Sequence, residues 1–102
     1  MNTNTIKIRD FAGEFAENKN LAKLWRESIL FPTVEKGDLV VLDFNGVSGT
    51  TQSFVHALIS AVLQQYGEKA LDQLEFTNCQ PGVKSVVLTV VEYSLIPSRK
   101  IA

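Results

Sequence analysis

The run "LVVLDF", residues Leu39 to Phe44, constrains this chain more than any other stretch. It is apolar without the gaps of an amphipathic helix or the alternation of a half-buried strand. Turn formers bracket it, "EKGD" before and "NGVSGTT" after. A strand of this kind belongs at the centre of a parallel sheet. Parallel neighbours cannot be joined by tight turns, so crossover helices must flank the strand in sequence.

The rest of the chain supplies them. In "TIKIRDF", Ile6 and Ile8 alternate with Lys7 and Arg9, which predicts a half-buried strand near a sheet edge. "AGEFAENKN" reads as an irregular connection, with Asn18 or Asn20 to cap the helix that follows. Leu21, Leu24, Trp25, Ser28 and Ile29 recur at helical spacing, and that helix is expected to stop before Pro32. After "NGVSGTT" a second helix of about fourteen residues runs to Gly67. "EKALDQ" is a short helix and "LEFTN" a third strand. "PGVKSVVLTVVEYSL" is rich in β-branched residues, yet Val83, Val86, Val87, Val90 and Val91 share one helical face and Pro81 suits a first helical turn. The predicted order is β-α-β-α-(α)-β-α, a single small α/β domain with a mainly parallel sheet and crossover helices. Residues 1–4 and 97–102 are expected to be loosely ordered.

Composition excludes several function classes. A net charge of −1 offers no basic surface for nucleic acid. The longest near-apolar stretch, Phe54 to Leu63, is too short to span a bilayer, and the N-terminus lacks the apolar segment of a signal peptide. One cysteine and one histidine predict neither an internal disulfide nor a protein-built metal site. The expectation is a cytoplasmic protein without a cofactor.

Candidate chemistry gathers after the central strand. Asp43 either orients a hydroxyl or accepts N–H groups of its own loop, and Asn45, Thr50, Thr51 and Ser53 follow it. Ser53 and His56 share a helix face, so with Asp43 they would suit a small hydrolase or transferase. However, no G-x-S-x-G elbow is present, and Gly46 and Gly49 are too sparse for a phosphate loop. The second helix has a wide apolar surface. It is covered either within the monomer or by a second copy through Val55, Ile59 and Leu63.

"VVLDFNGVSGTTQSF" and the later "LEFTNCQPGVKSVVLTVVEYSL" resemble the STAS superfamily of anti-sigma-factor antagonists. Leu74, Asn78, Pro81 and Val83 match its L-x-x-x-N-x-x-P-x-V pattern. The closer likeness is to an uncharacterised STAS-like family, through Leu42, Asp43, Phe44, Gly46, Val47, Thr50, Thr51, Ser53 and Phe54. Aligned without gaps from Asp43, the regulated serine of the antagonists falls at Gln52, and Ser53 matches the serine beside it. The resemblance implies a non-catalytic regulatory module that docks on a partner protein. The partner class it implies is a histidine-kinase-like ATPase, with phosphoregulation at a loop hydroxyl.

Overall fold

The computed structural model describes residues 2–95. Strand β1 (Thr3–Lys7) leads into a short helix, α1 (Ile8–Ala12), and a two-residue strand, β2 (Phe15–Ala16). Helical segments Lys19–Trp25, Arg26–Leu30 and Phe31–Lys36 then run on without a break as one rod, α2 (residues 19–36). After β3 (Leu39–Asp43) and β4 (Gly49–Thr50), the segments Gln52–Val55, His56–Ser60 and Ala61–Tyr66 form a second rod, α3 (residues 52–66). The chain closes with α4 (Glu68–Asp72), β5 (Leu74–Thr77) and α5 (Pro81–Leu95).

The main sheet has the order β1-β3-β5, all parallel, with Ile6 opposite Leu42 and Leu42 opposite Phe76. Each crossover therefore steps in the same direction. Right-handed connections that never reverse place every connecting helix on one face of the sheet. Ile6, Val40, Leu42 and Leu74 point to that face and are buried. Thr5, Val41 and Glu75, aligned across the three strands, point to the other, where Thr5 and Glu75 are exposed. Among the described residues the central strand is thus covered by helices on one side only, and Val41 on the other is half-buried.

The surplus apolar surface of α3 is met inside the chain, by α2 on one flank and α5 on the other. Val55, Ile59 and Leu63 are at most 1% exposed. These side chains leave no free surface for a second copy, so of the two alternatives it is coverage within the monomer that accounts for them. Ser60 of α3 is also buried, where it accepts a 2.9 Å hydrogen bond from the Ser94 hydroxyl of α5.

Three boundaries differ from expectation. The first strand ends at Lys7, and Ile8 reaches the core from α1 instead, fully buried. Thr3 and Asn4, expected to be loose, pair with Leu39 and Val40. Residues 97–102 lie outside the described residues. Helix α2 passes through Pro32 and ends at Gly37, whose φ of +82° stops it. A proline ring presses on the carbonyl four residues earlier, here that of Ser28. That carbonyl lies in Arg26–Leu30, which is a wider π turn. The helix thereby accommodates a residue that would otherwise end it.

Candidate functional site

Loops that follow parallel strands collect at their carboxyl ends, and there the chain after β3 meets the chain after β5. Asp43 Oδ1 accepts the Asn45 N–H at 2.9 Å and the Asn78 side-chain amide at 2.8 Å. Asn78 takes φ +57°, a left-handed conformation that asparagine tolerates. The Asn78 amide above all, then the Asn45 N–H, and less strongly the charge of Lys7, hold the Asp43 carboxyl below its ordinary value. Its role is to fasten the loop. Lys7, Arg9, Asp10, Asp43 and Asn45 line a polar cleft of about 210 Å³ at this end of the sheet.

The loop turns at Asn45-Gly46, where the Val47 N–H bonds the Phe44 carbonyl at 2.9 Å. Gly46 has φ +82°, and a Cβ there would collide with the Arg9 side chain. The loop then lies along the segment after α1. Ser48 donates to the Glu14 carbonyl through both its N–H (2.7 Å) and its hydroxyl (3.2 Å). The strands β2 and β4 pair in parallel, Phe15 beside Gly49 and Ala16 beside Thr50.

The three predicted hydroxyls divide by role. Thr50 is buried and donates its hydroxyl to the Ala16 carbonyl at 2.8 Å, so it fixes the loop. Thr51 caps α3, its Oγ1 accepting the Phe54 N–H at 3.1 Å. Ser53 is exposed in the first turn, its Oγ 3.4 Å from that of Thr51. Unpaired N–H groups and the helix dipole favour negative charge in that turn.

Ser53, His56 and Asp43 share no hydrogen bond. The His56 ring stacks on Tyr93 of α5, centroids 5.9 Å apart, and Asp43 is engaged by the two asparagines. Cys79 is half-buried against the core, and burial raises its thiol pKa, which suits an inert thiol. Among the described residues no group of three or more His, Cys, Asp or Glu side chains could hold a metal ion, and no helix is long and apolar enough to cross a membrane.

Sequence reasoning missed the second half of this surface. Phe11 is 68% exposed and Phe15 49% exposed. The Phe15 ring lies 2.8 Å from where a Cβ on Gly49 would be. Phe11 meets Trp25 edge-on at 5.6 Å, and Trp25 meets Phe54 edge-on at 6.5 Å, which connects α1 to the first turn of α3. Tyr93 joins from the other side, accepting a 3.4 Å bond from the Gln52 side chain. The signal that could have flagged them was an aromatic residue on either side of the start of the irregular connection, Phe11 at the end of the predicted strand and Phe15 within the connection.

Fold and loop together define a parallel α/β domain whose crossovers all turn one way and whose ordered loop sits at the strand ends. A family model described as a STAS-like domain of unknown function (DUF4325) matches residues 21–84, and the chain belongs to that family. No curated protein and no solved structure matches it.

Proposed function

We propose that this STAS-like domain is a non-catalytic regulatory module that docks on a partner protein through the surface formed by Phe11, Phe15 and the loop from Asn45 to Ser53. The observation that carries the reading is the exposure of Phe11 and Phe15 beside an ordered, hydrogen-bonded loop. Large aromatic side chains set in a rigid polar frame are the anchors of protein interfaces. Membership of a STAS-like family agrees with a non-catalytic role, as does the separation of Ser53, His56 and Asp43 into different bonding groups.

Ser53 is the control point. It is exposed, whereas Thr50 and Thr51 are occupied by the fold. A phosphoryl group on Ser53 adds roughly two negative charges to the docking face at a helix end that tolerates them. The partner class is the one implied by resemblance to anti-sigma-factor antagonists, a histidine-kinase-like ATPase. Affinity capture from the native cell tests the reading. Wild type and Ser53→Ala should retain the same partner, and Ser53→Asp and Phe15→Asp should lose it. Equal recovery by all four folded proteins would overturn it.

A further inference from the structure

The free edge of β5 carries an inference that does not depend on the docking loop. The Val40 N–H bonds the Gln73 carbonyl at 2.8 Å, and the Phe44 N–H bonds the Thr77 carbonyl at 2.9 Å. The backbone groups of residues 73, 75 and 77 therefore face β3. Those of Leu74 and Phe76 face outward, and no further strand pairs with them among the described residues. Unpaired strand edges are templates for strand addition. Here the edge opens onto a groove of about 250 Å³ lined by Phe76, Cys79, Lys84, Val87 and Leu88. The one charge on this edge, Glu75, points to the sheet face away from the groove. Leu88 is 52% exposed, and Lys84 is the one charged side chain in the lining.

We infer that β5 is a second interaction site, which takes an extended segment of another protein as an added strand. Backbone groups of the segment pair with Leu74 and Phe76, its aliphatic side chains enter the groove at every second position, and an acidic residue meets Lys84. Charge argues against a second copy of this chain as occupant. The antiparallel self-pairing that uses Leu74 and Phe76 of both copies sets Glu75 directly opposite Glu75, and like charges so placed repel.

Selection of random peptides displayed on phage against the immobilised full chain tests the site. Enriched sequences should alternate aliphatic and polar residues and carry an acid. Synthetic peptides made from them should bind roughly tenfold more weakly to Leu88→Asp, because a carboxylate then lines the apolar groove. Against Lys84→Glu the selection should turn from acidic to basic sequences. The Phe76 amide should exchange with solvent more slowly when peptide is bound. Leu88 and Lys84 are both exposed, so the variants should keep the wild-type circular dichroism spectrum. No enrichment, sequences with helical spacing or proline repeats, or affinities unchanged by both substitutions would overturn the inference. So would self-association that Leu88→Asp abolishes without any peptide binding, because the edge would then belong to a second copy.

Discussion

The Asn78 side chain donates to Asp43 across the carboxyl ends of two adjacent strands, at 2.8 Å, and so locks the loop after β3 to the loop after β5. Asp43→Asn keeps the shape of this junction and removes its charge. Hydrogen bonds to a carboxylate are stronger than those to an amide, but Asn45 and Asn78 are exposed and only Asp43 is half-buried, so the expected loss is at most about 1 kcal/mol at pH 7. The pH dependence follows from the lowered carboxyl pKa. The stabilisation is complete above the unfolded-state pKa of about 4 and is lost as pH falls through the lower folded-state value. Urea melts from pH 3 to 7 should show the gap between wild type and variant closing at the acid end. A constant gap would show that the charge does not contribute.

Thr51 and Ser53 are adjacent hydroxyls with different expected costs. Thr51→Ala removes the α3 cap and should lower stability by about 1 kcal/mol. Ser53→Ala, at an exposed position, should stay within about 0.5 kcal/mol of wild type. Chemical denaturation of the two variants side by side measures the difference.

Ile59→Asp places a carboxylate where a fully buried side chain packs between helices. An uncompensated buried charge costs several kcal/mol, on the order of 3–5. The expected outcome is loss of the circular dichroism melting transition. A folded variant whose mass by light scattering is half that of wild type would instead reveal a subunit interface at this residue.

Cys79 should react slowly with a thiol reagent at pH 8 in the folded protein and at the rate of a free cysteine in urea. Burial raises its pKa and half-covers its sulfur. Equal rates in the two states would show that this corner of the groove beside β5 is open.

The legible parts of the chain were those with a strong period or a cap. "LVVLDF" gave β3, Pro81 together with the valine spacing decided α5 against its β propensity, and Asn18 caps α2 through bonds to the N–H groups of Asn20 and Leu21. Other parts depended on tertiary context. Alternating Ile6 and Ile8 fit a longer strand equally well, because both reach the core, one from a strand and one from a helical turn. The pairing of Phe15-Ala16 with Gly49-Thr50 is too short to leave a period. Pro32 misled because only a three-dimensional feature, the π turn, reconciles it with a helix. At the site, Asp43 and the loop hydroxyls could be read in sequence. Asn78 stood out only as part of a motif, not as the partner of Asp43, and the partners of Thr50 and Gln52, Ala16 and Tyr93, come from distant elements that no local pattern announces.

Because the three strands of the main sheet lie in space in the order in which they occur along the chain, β1 and β5 do not pair, and each winding rests on the one before it. Each pairing still has to close a long stretch of chain, Thr3 with Leu39 and Val40 with Leu74, but a shorter one than a direct pairing of β1 with β5 would require. The strand order also ranks the pieces by how easily they come away. The last winding, β5 with α5, can detach without breaking the β1–β3 pairing, whereas losing β3 dismantles the whole sheet. That last winding carries Asn78 and Tyr93, the residues that hold the loop from behind. Its release would free Asp43 and Gln52 from these two bonds while uncovering Val83, Val87 and Val90, so the order of the loop is tied to the packing of the last helix.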